Sequence, residues 1–312
     1  MKQTGFFKSF DGVNIAYYVI GNKKGMPVVL SNGLGGNIAA WLPLINALKD
    51  RYLFITWDYR GLYKSAIPND IHTMAIPYHV RDLETLLKKL HINKAIFVGW
   101  SMGVQVNFEF YRWHPDMFYG LTVLSGAAGY PFDTTKMLSG DPLKIMVMIV
   151  RHLGNTASRL VKFVTDRKYF FDLLKLSGIV AKTCSRQIFM DIVKDFRHLD
   201  FGVYFSSLVY LGEHSAEDVL SQITCPTLIV VGEKDLFTPL PVAQKMHESI
   251  KHSKLFSLPL GTHYAMAEYP EEITAQIEGF IRKHGLGRRR RATVSVVERE
   301  PVIADVTEVA GQ

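Results

Sequence analysis

The chain has 312 residues, is 48% apolar and 12% aromatic, and carries a formal net charge of +7. That length and apolar content suit one large α/β domain or two smaller ones around a packed core, and they exclude a disordered chain. The only dense basic run is Arg288 to Arg291; elsewhere Lys and Arg are scattered among Asp and Glu without aromatic interleaving, so no nucleic-acid module is indicated.

Cys184 and Cys225 are the only cysteines, too few for a disulfide framework or a Cys-rich zinc site, and both read as buried thiols. The first ten residues lack an apolar signal core, and the longest apolar cluster, Ile145 to Val150, is far too short to span a bilayer. A cytoplasmic protein is expected.

Residues 6–20 alternate loosely around Asp11-Gly12 and predict an opening hairpin. The run Pro27 to Ser31 is continuously apolar, as in a strand buried on both faces of a parallel sheet, and it leads into the glycine-rich loop Asn32-Gly33-Leu34-Gly35-Gly36-Asn37. Such a loop can turn backbone N–H groups toward one point, as an oxyanion requires. It lacks the Gly-Lys-Ser/Thr ending of a phosphate loop and the glycine spacing of a dinucleotide fingerprint.

A helix over Trp41 to Lys49, a strand over Leu53 to Trp57 and the loop from Asp58 follow. Pro77 to Leu90 predicts a helix with apolar positions at Val80, Leu83, Leu86, Leu87 and Leu90 and Pro in its first turn. Strand 95–98 then enters Gly99-Trp100-Ser101-Met102-Gly103, and helix 104–113 leaves it. A serine between two glycines on a strand-to-helix turn is pushed clear of the backbone, which presents its hydroxyl for attack.

A further buried strand covers 121–124, so strands and helices alternate as in a mostly parallel sheet. From 132 to 219 the rhythm breaks into helical stretches: 143–153, 157–163, 169–176, 186–199 and 201–211. These predict a helical cap rich in Met, Phe and Leu, able either to wall a substrate pocket or to form a core of its own. The α/β order resumes with strand 226–232, helix 241–250, strand 254–258 and helix 270–284. Residues 1–131 and 220–284 thus form the expected core, and 285–312 a mobile basic and polar tail.

Ligands bind outside the carboxyl ends of parallel strands. Ser101, Asp235 and His263 each follow a strand there, in the order Ser, Asp, His. A serine hydroxyl needs a neighbouring base to take its proton, and the base needs a carboxylate to hold its tautomer. The competing acid position, after strand 121–124, offers Ser125-Gly126-Ala127 and no carboxylate, while Glu233 reads as a loop or salt-bridge residue. Among the 11 histidines, His114, His198 and His214 read as surface or satisfied core residues.

Over residues 10–284 the chain resembles the α/β-hydrolase fold superfamily. Gly99 to Gly103 matches its nucleophile elbow, Gly232-Glu233-Lys234-Asp235 its acid turn, Gly261-Thr262-His263 its histidine loop, and Asn32 to Gly36 its oxyanion loop. The resemblance implies backbone N–H donors at Leu34 and Met102, and a mainly structural role for Asp58 to Ser65. Three positions depart from the pattern: Asn32 stands for a histidine, Tyr63 for a glycine, and Val104 for a small residue.

The implied reaction is hydrolysis of a carboxylic ester with an apolar acyl or alcohol part, through an acyl-enzyme on Ser101, with no metal or organic cofactor. A serine nucleophile argues against the aspartate-nucleophile epoxide hydrolases and haloalkane dehalogenases. Carbon–carbon hydrolysis of a diketone, lactone opening and acyl transfer use the same triad and stay open. Two readings of other classes are a non-catalytic binding protein and a weak membrane-surface contact through Arg288–Arg291 and the insert.

Overall fold

The described residues contain eight strands: β1 (Lys2–Lys8), β2 (Asn14–Gly21), β3 (Met26–Ser31), β4 (Tyr52–Trp57), β5 (Ala95–Trp100), β6 (Phe118–Leu124), β7 (Thr227–Gly232) and β8 (Ser253–Leu258). The computed structural model describes residues 2–130, 163 and 169–286. In it the strands form one sheet in the order β1-β2-β4-β3-β5-β6-β7-β8. The first two pairings, β1 with β2 and β2 with β4, are antiparallel, and all the others are parallel.

The opening hairpin turns where Asp11-Gly12 predicts it, with Gly12 at φ +83°, but its first strand starts at Lys2 rather than at residue 6. Every residue of β3, β5 and β7 is buried, as their unbroken apolar runs require. Alternate side chains serve opposite faces. Val29 and Phe97 pack with Val80, Leu83, Leu86 and Leu87 of α2 (Ile76–Lys89). Val28, Leu30, Ile96 and Val98 pack with Leu44, Ile45 and Leu48 of α1 (Leu42–Leu48) on the other side. Burying one such leucine contributes roughly 1.5–3 kcal/mol.

Among the described residues the remaining α-helices with given bounds are α3 (Met102–Trp113), α4 (Phe170–Leu176), α5 (Arg186–Val193), α6 (Phe201–Gly212), α7 (Leu240–Ser249), α8 (Ala265–Glu268) and α9 (Pro270–Lys283). Several boundaries correct the sequence reading. Strand β6 starts at Phe118, three residues early, and a short 3-10 turn, Ile38–Trp41, precedes α1. The single helix expected over 186–199 divides. α5 ends at Val193, and Phe196 turns inward to meet Phe201 and Tyr204 at ring separations of 5.3 and 5.1 Å. Asp200 then caps α6 by accepting the Val203 N–H at 3.0 Å.

The helices expected over 143–153 and 157–163 lie outside the described residues, apart from Phe163, as does Arg288–Arg291. Among the described residues no helix is long and apolar enough to cross a membrane. Cys184 and Cys225 are free and buried, and burial pushes each thiol up to about 12.

Candidate active site

Ser101 sits where β5 becomes α3, at φ 53° and ψ −118°, a conformation that non-glycine residues adopt only under constraint. The constraint is close packing. A Cβ at Gly103 would lie 2.1 Å from the Ser31 carbonyl oxygen, and one at Gly99 would lie 2.6 Å from that of Gly103. The elbow is pinned from the other side by the Ser101 N–H, which donates to the Leu124 carbonyl at 3.0 Å.

Asp235 and His263 follow β7 and β8, and their loops are bound to each other before any side chain is considered. The Lys234 N–H donates to the Gly261 carbonyl at 2.9 Å and that of Glu233 to Leu258 at 3.0 Å. A Cβ at Gly232 would lie 2.3 Å from the Gly261 oxygen. The histidine loop has further anchors. The Trp100 indole N–H donates to the His263 carbonyl at 3.0 Å, and the Glu268 carboxylate accepts the Thr262 N–H at 2.7 Å and its hydroxyl at 2.5 Å.

These loops bring the three side chains together. His263 Nε2 lies 2.9 Å from Ser101 Oγ, and Nδ1 lies 2.9 and 3.1 Å from the two oxygens of Asp235. An ionised carboxylate only accepts, so Nδ1 carries the proton and Nε2 presents its lone pair to the serine hydroxyl. Asp235 is 3% exposed and His263 8%. Burial pushes the Asp235 carboxyl upward, but His263, the Thr238 N–H and the Thr238 hydroxyl outweigh it and hold the group below its ordinary value. A hydroxyl, a base with a free lone pair and a carboxylate behind it can perform nucleophilic acyl chemistry.

The glycine-rich loop after β3 lies against the same cavity, which has a volume of about 350 Å³ and includes Leu34, Ser101 and His263 in its wall. Its other walls are largely apolar, with Trp100, Phe189, Ile192 and Leu208 among them, and Tyr204, Tyr264 and Thr238 add hydroxyl groups. Met102, the first residue of α3, has an N–H that no intrahelical bond can use. Trp100 lies under the loop, and a Cβ at Gly33 or Gly36 would approach its ring to 3.0 or 2.8 Å.

The three departures from the family pattern each have a partner. The Asn32 amide donates to the Trp57 carbonyl at 2.8 Å and accepts the Trp41 indole N–H at 2.6 Å, so it fastens the start of the loop to α1's entry and to β4. The Tyr63 hydroxyl donates to the Gly35 carbonyl. Val104 fits because residue 126 is glycine, where a Cβ would lie 2.4 Å from a Val104 methyl. The loop from Asp58 also holds Arg60, fully buried and paired with Asp82 at 2.7 Å and Asp11 at 2.9 Å.

Sequence reasoning missed Thr238 and Glu268. Thr238 had a signal, since a Thr three residues after an Asp in a turn suits a side-chain cap; Glu268 had none. Glu233 accepts the Ser257 hydroxyl at 2.9 Å, and His214 is held by Gln105 at 2.6 Å and Glu109 at 3.1 Å, both away from the triad. Among the described residues no group of His, Cys, Asp and Glu could hold a metal ion.

Residues 26–270 match the family model of the alpha/beta hydrolase fold. The human serine hydrolase BPHL is 26% identical over 280 residues, covering 87% of this chain and 84% of that protein. The 3-oxoadipate enol-lactonase 1 of Acinetobacter baylyi is 25% identical, covering 87% of this chain and 94% of its own. Among solved structures, an esterase from Exiguobacterium antarcticum superposes with a TM-score of 0.74 at 22% identity, over 90% of this chain and all of that one.

Proposed function

This chain belongs to the α/β-hydrolase fold family and is a hydrolase, and on that premise we propose that it cleaves carboxylic esters with an apolar acyl or alcohol part through an acyl-enzyme on Ser101. The observation that carries this reading is the file of hydrogen bonds from Ser101 through His263 to Asp235. Ser101 Oγ attacks the carbonyl carbon as its proton passes to His263 Nε2. Asp235 steadies the imidazolium, and the Leu34 and Met102 N–H groups hold the oxyanion. Collapse expels the alcohol, which leaves with the proton from Nε2. Water, deprotonated by the same nitrogen, then attacks the acyl carbon; the acyl–Oγ bond breaks, Ser101 Oγ takes the proton back from Nε2, and the acid is released.

The substrate class rests on the wall of the cavity. Its aliphatic and aromatic side chains favour an apolar group, and about 350 Å³ is near the lower end of ligand pockets, roughly 300–1,000 Å³. In this reading α4, α5 and α6, whose Phe170, Phe189, Ile192 and Leu208 wall the cavity, serve as a cap that shields the acyl-enzyme. Lactone opening uses the same atoms and is favoured by the resemblance to an enol-lactonase.

The test is hydrolysis of a p-nitrophenyl ester series, from acetate to palmitate, by wild type and Ser101→Ala. Short and medium chains are expected to be cleaved faster than palmitate, and the variant to lose at least about 10³-fold in kcat. Equal rates in the two proteins would refute the assignment of the nucleophile.

A further inference from the structure

We propose that Tyr63 is a positioning residue that sets the oxyanion loop through its hydroxyl, a role resting on the reading of the Leu34 N–H as an oxyanion donor. Tyr63 has φ +52°, in the left-handed region where a ring-bearing side chain is strained and glycine is not. The corresponding position in the loop it resembles is a glycine, so this chain keeps a strained residue where an unstrained one would fit. The strain is held by the turn around it: the Ser65 hydroxyl donates to the Asp58 carbonyl at 2.7 Å, and the Lys64 N–H to the Asp58 carboxylate at 3.2 Å.

What the strained residue provides is a donor to the Gly35 carbonyl. Gly33, Gly35 and Gly36 leave the oxyanion loop with little side-chain packing of its own, so its shape depends on outside anchors. Asn32 fixes its start. Asn37 fixes its end, by accepting the Ala39 N–H at 2.8 Å and donating to the Ile192 carbonyl of α5 at 3.3 Å. Between them Gly35 stands at φ +73° with Phe196 and Tyr204 against its Cα, where a Cβ would come within 2.7 Å of the Phe196 ring. Tyr63 is the polar anchor of that middle residue, immediately after Leu34. Burial pushes its phenol well above the ordinary value, so it stays a donor throughout the working pH range.

The experiment compares wild type, Tyr63→Phe, Tyr63→Gly and Ser101→Ala. Three quantities are read: the second-order rate constant for fluorophosphonate labelling, kcat and KM on the best p-nitrophenyl ester, and Tm. Labelling reads serine attack with the phosphoryl oxygen in the oxyanion site, whatever the natural substrate. Tyr63→Phe removes only the hydroxyl. It is expected to lower labelling and kcat about tenfold or more, with KM within about twofold and Tm nearly unchanged. Tyr63→Gly relieves the strain but also removes a ring packed against the core, so it is expected to show at least the same catalytic loss with a lower Tm.

Labelling and kcat of Tyr63→Phe within twofold of wild type would overturn the proposal. So would a loss confined to KM, or one that vanishes on cooling to a temperature where the variant is fully folded. Wild type that labels no better than Ser101→Ala sinks the underlying serine mechanism and this role with it. A labelling wild type with an unaffected Tyr63→Phe sinks this role alone.

Discussion

Asp235→Asn separates the job of the carboxylate from its contribution to the fold. One oxygen of Asp235 accepts the N–H groups of Phe237 and Thr238 at 2.8 and 2.9 Å; the other accepts the Thr238 hydroxyl at 2.8 Å and His263 Nδ1 at 2.9 Å. In the asparagine variant the amide oxygen must stay with the two backbone donors. Its NH2 then faces the Thr238 hydroxyl, which can accept, and His263 Nδ1, which must accept. The imidazole proton therefore moves to Nε2, the atom 2.9 Å from Ser101 Oγ, where it can no longer take the serine's proton.

The expected loss is on the order of 10⁴ in kcat, or about 5.5 kcal/mol in the barrier. The two backbone donors keep their acceptor and only the Thr238 hydroxyl must redirect its proton, so Tm should move by only a few degrees. Asp235→Ala is the contrasting case: it leaves the same buried N–H groups and hydroxyl unpaired, and should lose about 2–4 kcal/mol of stability as well as activity. The carboxyl sits below its ordinary value of 3.8, so its share of stability is present above that pH and is lost as the pH falls further. Ester hydrolysis between pH 6 and 9 reads the loss of activity, and thermal unfolding from pH 7 down to pH 3 reads the loss of stability. Asp235→Asn activity within tenfold of wild type would refute the tautomer argument.

Two further outcomes follow from buried polar groups outside the triad. Asn32→Ala strands the Trp41 indole N–H and the Trp57 carbonyl and should cost about 2–4 kcal/mol by urea unfolding; in a Trp41→Phe background that cost should shrink by about 1–2 kcal/mol, and equal costs in both backgrounds would count against the fastener. Burial pushes the Asp58 carboxyl up to about 6, against hydrogen bonds from Tyr18 and Lys64. A raised acid contributes most below its unfolded value and loses that contribution as pH rises through the folded one. Wild type should therefore lose on the order of 3 kcal/mol relative to Asp58→Asn between pH 4 and 7, and a pH-independent difference would show that the group is not shifted.

The readable parts of this chain are those whose physics is local. β3, β5 and β7 are covered on both faces, so each is an unbroken apolar run that needs no partner to be recognised. Gly99, Ser101 and Gly103 are legible for the same reason, since a sharp strand-to-helix turn excludes side chains within a few residues of itself. Asp235 and His263 stand out as candidates because each follows a strand, at the end of the sheet where Ser101 lies. What the sequence hides is set by contacts across long separations. Glu268 accepts the Ala181 N–H at 2.8 Å, 87 residues away along the chain, and Phe196, just beyond α5, packs against Gly35. Neither leaves a periodic trace.

The three departures from the family pattern make the same point from the opposite direction. Read alone, Asn32, Tyr63 and Val104 look like losses: a missing histidine, a strained backbone and an oversized side chain. Each is matched elsewhere, by Trp41 and Trp57, by the Gly35 carbonyl, and by the bare Cα of Gly126. Glycine at 63 would give the turn its conformation but no donor, while a small residue at 104 would free position 126 from being glycine. The motif therefore records one way of meeting the packing and hydrogen-bonding needs around the elbow and the oxyanion loop. This chain meets them with a different set of residues, which leaves the Ser101–His263–Asp235 geometry intact and moves the anchoring of the loop onto side chains that the motif does not contain.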